Sequence, residues 1–219
     1  MSDIAASAEL MDRIYRRQRH LYDFTRKYYL LGRDRLIHRL SPPAGSRVLE
    51  IGCGTARNLV VAAHAYPDVH FFGIDISAEM LDTARGVIER EGLAPYIRLA
   101  RADATAFDPA RQFGVPGFSR IFVSYTLSMI PGWQAVLARA LTWLGPGGEL
   151  HIVDFGGQER LPGWFRLGLR GWLGLFHVAP RDDLEAELSL LGLRAGALTT
   201  FERPFRGYAQ YAVTRRLPA

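Results

Sequence analysis

The chain has 219 residues, 48% hydrophobic and 22% charged, with Cys53 as its one cysteine. That length accommodates one α/β core with trimmings, the composition is that of a globular protein, and a lone cysteine excludes an intramolecular disulfide. The formal net charge of +5, concentrated between Arg13 and Arg39, leaves nucleic acid, an anionic membrane surface and acidic substrates open as partners. The first ten residues lack the basic start and apolar core of a signal peptide, and no apolar run approaches the roughly 20 residues of a membrane span. The expected location is the cytoplasm.

From Ala8 to Leu40 there is no proline and only Gly32 among the glycines. Apolar residues from Leu10 to Leu36 recur at helical spacing, which predicts one or two amphipathic helices broken near Gly32. Ser41-Pro42-Pro43 then ends the helix. Arg47–Ile51 reads as a strand entering a glycine turn, followed by a helix from about Asn58 to Ala65. Val69–Asp75 is the second strand, and Ser77 caps a helix through Arg90. Ile97–Ala100 and Arg120–Ser124 are the third and fourth strands. A helix near Gly132–Leu144 and a Gly145-Pro146-Gly147-Gly148 turn deliver Glu149–Asp154 as the fifth. A stretch rich in Gly, Trp and Arg (Leu161–Phe176) precedes a helix near Asp182–Leu191, and strands near Leu193–Thr200 and Tyr208–Thr214 close the chain. Alternation of this kind predicts the α/β class, with a doubly wound, mostly parallel seven-stranded sheet. A single domain is expected, with a helical cap at 1–44, a cofactor-binding core at 45–155, and a substrate lid with the last strands at 156–219.

Ligands of open parallel sheets bind beyond the carboxyl ends of the strands. Gly52 and Gly54 let the backbone approach a ligand there, although a glycine turn alone also serves purely structural ends. A dinucleotide fingerprint needs a third glycine where Arg57 stands, which counts against a pyrophosphate. Asp75 ends the second strand, where a carboxylate can bind ribose hydroxyls. Asp103 ends the third, within reach of an adenine amino group, and Ala104 offers its amide to the ring.

The ensemble Val48-Leu49-Glu50-Ile51-Gly52-Cys53-Gly54-Thr55, Gly73-Ile74-Asp75-Ile76-Ser77 with Met80, Asp103-Ala104, and Leu144-Gly145-Pro146-Gly147-Gly148 resembles the class I S-adenosylmethionine-dependent methyltransferases. The resemblance implies S-adenosylmethionine as cofactor, S-adenosylhomocysteine as product, and no metal. It implies that Gly52 and Gly54 lie against the methionine part and that Glu50 orients the turn. Asp75 would hold the ribose, Ile76 and Met80 would flank the adenine, and Asp103 would read it. Asn58 and Ser124 join the cofactor set. Ala56 stands where many members have another glycine.

The substrate is read from the flanks. An Asn/Asp-Pro-Pro-Tyr/Phe run after the fourth strand would suggest a nucleic-acid base. Here Ser124-Tyr125-Thr126-Leu127-Ser128 stands instead, no RNA-binding module is recognisable, and no nucleic-acid partner is expected. Tyr22-Asp23, then Gly32 and Arg35, resembles the segment before the core in quinone- and lipid-related methyltransferases, which implies that Tyr22 and Arg35 contact the methionine carboxylate. The run from Tyr15 to Leu36, with Leu161–Arg166 and Phe176–Arg181, resembles the bacterial diacylglycerylhomoserine N-methyltransferases. That resemblance implies three amine methylations giving a trimethylated betaine lipid. The expected partners are a membrane lipid, an anionic membrane surface at the inner face, and the enzyme that makes diacylglycerylhomoserine. Phosphatidylethanolamine and quinone methyltransferases, and a non-catalytic S-adenosylmethionine-binding subunit, are the alternatives.

Between Pro162 and Phe176, aromatic and leucine residues interleave with Arg166 and Arg170, as suits either a headgroup-level helix or the core of a lid. His177, then His151, are candidate proton acceptors, and Tyr125 is the further catalytic candidate. Tyr28, Tyr29, Tyr125, Tyr208 and Tyr211 offer rings to a methylated ammonium. Arg33 and Arg181 are candidates for the homoserine carboxylate, since the guanidinium fork matches its geometry.

Overall fold

A computed structural model describes residues 30–176 and 178–218. Seven strands, β1 (Arg47–Ile51), β2 (His70–Asp75), β3 (Ile97–Arg101), β4 (Phe118–Ser124), β5 (Leu144–Phe155), β6 (Ala197–Glu202) and β7 (Ala209–Arg216), form one sheet in the order β3-β2-β1-β4-β5-β7-β6. The first five pair in parallel, and β7 runs antiparallel to both β5 and β6. The predicted doubly wound, mostly parallel sheet is therefore the one found. Strand order reverses between β1 and β4, and it is at such a switch point that an open sheet leaves a crevice for a ligand.

The helices are α1 (Arg33–Leu40), α2 (Arg57–Ala65), α3 (Ala78–Arg90), α4 (Pro109–Phe113), α5 (Trp133–Trp143), α6 (Gly163–Gly174) and α7 (Leu184–Ala195). One core cluster joins α1, α2, α3 and α6 through Leu36, Leu59, Leu81 and Leu173. The other joins α5 and α7 through Leu137 and Leu188. Covered on both faces, the central strands are buried in runs rather than alternately: Val48–Ile51 of β1 and Ile121–Ser124 of β4 are all buried. Gly32, with φ of 91°, makes the predicted break before α1. Ser77 caps α3 by accepting from the Met80 N–H. The part of the predicted N-terminal helices before residue 30 lies outside the described residues.

Two features differ from expectation. The turn at Gly145–Gly148 lies inside β5 as a bulge: Phe118 pairs with Leu144 and Arg120 with Glu149, so β5 advances further than β4 across that step. Gly147, at φ of 68°, lets the extra residues loop out without ending the strand. The short α4 was not expected, although Asp108 caps it and Pro109 opens it, a recognisable start signal.

His151, the second proton-acceptor candidate, is 1% exposed within β5. Its ring nitrogens face the Tyr211 hydroxyl and the Glu149 carboxylate, each at 3.0 Å. Glu149 also meets Arg120 and Arg215. The imidazole belongs to a satisfied core network, with nothing left to offer a substrate.

Gly73 sits mid-β2, where a Cβ would lie 2.6 Å from Leu59 Cδ1, 2.8 Å from Leu99 Cδ2 and 2.9 Å from Cys53 Sγ. The strand touches α2 and the glycine turn with no room for a methyl group. Gly73→Ala is expected to cost about 1–3 kcal/mol by overpacking, read as a lowered denaturation midpoint at unchanged m. Leu59→Ala should cost less in the Gly73→Ala background than in the native chain, because the two sites share the same space.

Candidate functional site

Immediately after β1 the chain turns through left-handed conformations at Gly52, Gly54 and Ala56, with φ of 72°, 52° and 63°. The amides of Gly52 and Cys53 both donate to the Ile74 carbonyl, at 2.8 and 3.0 Å, fastening the turn to the end of β2. Thr126, two residues past β4, donates from Oγ1 to the Gly52 carbonyl at 3.1 Å and to Ser124 O at 3.2 Å. A Cβ on Gly52 would lie 2.1 Å from Thr126 Cγ2, so only glycine fits. Neighbouring strand ends thus hold the turn, and Thr126 is a contributor that sequence reasoning passed over.

Asp75 accepts the Gly54 N–H on Oδ2 at 2.8 Å and the Ser77 N–H on Oδ1 at 2.9 Å. These backbone donors orient the carboxylate at the switch point, as a ribose-binding acid requires. Asp103 takes both Thr105 donors, backbone and hydroxyl, on Oδ1 at 2.8 Å. Neither of those bonds uses Oδ2. Met80 is buried, and Ile76 and Ala104 are half-buried beside the same strand ends.

Glu50 is the least comfortable group of the site. One oxygen accepts from Asn58 Nδ2 at 2.7 Å; the other, Oε2, is buried with no hydrogen-bond partner. Burial, with the negative charge of Asp75 nearby, pushes its carboxyl up to about 8, against the lowering effect of Asn58, Arg33 and Arg57. Asn58 therefore serves as the support of Glu50. Ser124 Oγ, at the end of the adjacent β4, is also buried and unpartnered. Orphaned buried acceptors carry a cost that a ligand donor removes. Oriented carboxylates, left-handed glycines and an acceptor lacking a donor fit S-adenosylmethionine, which carries hydroxyls, an amino group and an ammonium.

The arginines sort differently from expectation. Arg33 is 8% exposed, and its charge acts on both Glu50 and Tyr125. Arg35, expected at the cofactor, is paired with Glu202 at 2.5 Å and lies 5.6 Å over the Tyr211 ring, on the β6–β7 side. Residues two apart on a helix point in different directions, so only one of the pair can face the turn. Arg181, expected at the substrate, donates to the carbonyls of Leu127, Ser128 and Ile130 at 3.2, 3.3 and 2.9 Å. It clamps the loop after β4. Asp154 joins that loop from β5, accepting the Ser128 and Phe155 amides, and burial raises its carboxyl to about 6. A charged residue ending an apolar strand was the signal for it.

The Tyr125 hydroxyl donates to the Leu31 carbonyl at 2.6 Å, and burial holds its proton well above the usual tyrosine range. Its ring stands edge-on to Phe155 at 4.7 Å, and Tyr208 stands edge-on to Phe155 at 6.0 Å. The structure thus brings Tyr125 and Tyr208 into one aromatic wall at the carboxyl ends of β4 and β5. Tyr22, Tyr28, Tyr29 and His177 lie outside the described residues. Beyond β5 a cavity of about 540 Å³ is lined by Glu159, Arg166, Arg170, Asp182, Arg203 and Gln210. Among the described residues no group of three His, Cys, Asp or Glu side chains is placed to hold a metal.

A neutral Glu50 accepts an ammonium poorly, so S-adenosylmethionine binding should tighten as pH rises toward about 8. Binding should release a proton when measured by calorimetry in buffers of different ionisation enthalpy. Glu50→Gln should flatten the pH profile and weaken binding by about tenfold, the loss of one charge-assisted contact.

Residues 48–148 match the family described as "Methyltransferase domain". The phosphatidylethanolamine N-methyltransferase of Cereibacter sphaeroides is 33% identical over 118 residues, 54% of this chain and 55% of that protein. The demethylmenaquinone methyltransferase of Listeria welshimeri is 29% identical over 121 residues, 55% of this chain and 48% of that protein. The chain thus spans about half the length of these curated relatives. In fold it is similar to phosphoethanolamine N-methyltransferase 2 of Haemonchus contortus, solved with S-adenosylmethionine, at a TM-score of 0.68 and 16% identity over 86% of this chain and 52% of that one. Family match, strand order and the geometry of the glycine turn converge: residues 48–148 match a methyltransferase-domain family, and the sheet has the Rossmann-like fold of the methyltransferases it resembles.

Proposed function

We propose that the chain methylates a lipid headgroup amine, converting diacylglycerylhomoserine to the trimethylated betaine lipid at the inner face of a membrane. The observation that carries this reading is the cavity beyond β5, whose lining has both signs of charge. A homoserine headgroup presents one ammonium and one carboxylate. Arg166 has no carboxylate partner among the described residues, while Asp182 is held by Arg170 and Glu159 by Arg203. Such a lining suits a zwitterion; a quinone ring has no charge to match it. The relatives named for ethanolamine methylation support an amine acceptor. A quinone acceptor is the second reading, supported by the demethylmenaquinone relatives.

Bound at the glycine turn, S-adenosylmethionine supplies an electrophilic methyl carbon on a sulfonium. The work of this chain is to orient and enclose. Gly52, Gly54 and Asp75 position the cofactor, with Glu50 and Arg33 as the polar pair for its amino-acid end. The wall of Tyr125, Phe155 and Tyr208 keeps water out and presents ring faces or edges toward the acceptor, where cation–π contact favours a methylated ammonium. The acceptor nitrogen must lose one proton before each of the three transfers, since every intermediate is formed as an ammonium. His177 is proposed to take it, since Tyr125 keeps its own. The enzyme that forms diacylglycerylhomoserine is the proposed supplier.

Purified chain, radiolabelled S-adenosylmethionine and vesicles carrying each candidate lipid test the reading. Label should enter diacylglycerylhomoserine, with a mass gain of three methyl groups, and His177→Ala should lower turnover by about 10²–10⁴ at unchanged cofactor affinity. Label in a quinone instead would establish the second reading. Cofactor binding with no methylated product in any lipid would make the chain an accessory subunit.

A further inference from the structure

A surface helix ordinarily turns its apolar stripe inward and polar side chains to water. The helix α6 does not. Phe165, Leu169, Trp172 and Leu173 pack inward against the core. On the outer side, Trp164, Leu167 and Leu175 are 77%, 78% and 77% exposed. At about 3.6 residues per turn these three fall on one stripe with Gly168 and Gly171, and a Cβ on either glycine would meet nothing within 4 Å. The ridge therefore stands clear of the rest of the described chain.

Its margins are cationic. Arg160 precedes the helix and is held next to Arg206 by its amide, which donates to the Arg206 carbonyl at 3.2 Å. Neither of these two arginines has a carboxylate partner among the described residues. Phe205, beside Arg206, is 46% exposed. A second copy meeting this ridge face to face would bring like charges together. An anionic bilayer surface answers both features, because it takes tryptophan and leucine at headgroup depth and offers phosphates to the arginines.

We infer that the outer ridge of α6, with its arginine margin, is a docking surface for an anionic lipid bilayer. Trp164 and Leu167 enter the interfacial layer, and Arg160 and Arg206 meet lipid phosphates. This surface is independent of which acceptor is methylated.

The test uses the full chain as Leu167→Cys, labelled with an environment-sensitive fluorophore; the native Cys53 is buried and does not compete for the label. Vesicles of phosphatidylcholine with about 30% phosphatidylglycerol should shift the emission to the blue, and added salt should reverse the shift. In sedimentation with the same vesicles, Trp164→Ser/Leu167→Ser should partition about tenfold more weakly than the native chain. Its S-adenosylmethionine affinity and unfolding midpoint should match the native chain, which separates lost docking from lost folding. Native-level partitioning by that double variant overturns the inference. So does a blue emission without vesicles: if it fades on dilution a second copy covers the ridge, and if it persists the chain covers its own ridge.

Discussion

The site depends on the absence of a side chain at Gly52. The carboxyl ends of β1 and β4 diverge at the switch point, and Thr126 bridges them by donating to the Gly52 carbonyl from a distance at which no Cβ could intervene. The Ile74 carbonyl secures the same turn from β2. Close approach and left-handed backbone are both required at one position, and glycine alone meets both. Once the turn is set, Asp75 receives its orienting amide from Gly54, and Glu50 is drawn under Asn58 at the start of α2. The electrostatics of the crevice thus follow from a steric constraint.

A division of labour follows along the sheet. The β1–β2–β3 half carries the carboxylates around the glycine turn, with Glu50 held reluctantly and Asp75 and Asp103 aligned by local amides. The β4–β5 half carries rings and a clamped loop: Tyr125 tied to Leu31, Phe155 between two tyrosines, and Arg181 gripping carbonyls. Polar recognition and apolar enclosure are assigned to different strands of one rigid layer. The antiparallel β7 adds Tyr208, just before its first residue, to the second half.

Much of this was legible in the order of residues, because local rules produce it. The glycine turn, the Ser77 cap, the break at Gly32 and the acids at strand ends need only neighbours in sequence. What was not legible depends on contacts distant in sequence. Arg33 and Arg35 are equivalent in composition, and only the packing of α1 decides which lies within electrostatic reach of Glu50 and which pairs with Glu202. Arg181 looked free for a substrate because its carbonyl partners lie about fifty residues earlier. Asp154 and Thr126 hold loops that have no signature of their own. His151 is hidden for a different reason: a histidine in an apolar strand reads the same whether its partners are core groups or ligands.

The placement of Cys53 has a consequence for the motion of the turn. Its thiol is buried beside Gly73, and burial with nearby acidic charge lifts its proton affinity well above the usual range, so it is chemically silent while the turn is closed. Reaction with an alkylating reagent therefore has to wait for the turn to lift from β2, and its rate counts those openings. The chain carries a native clock for breathing at the cofactor site, readable without introducing a probe.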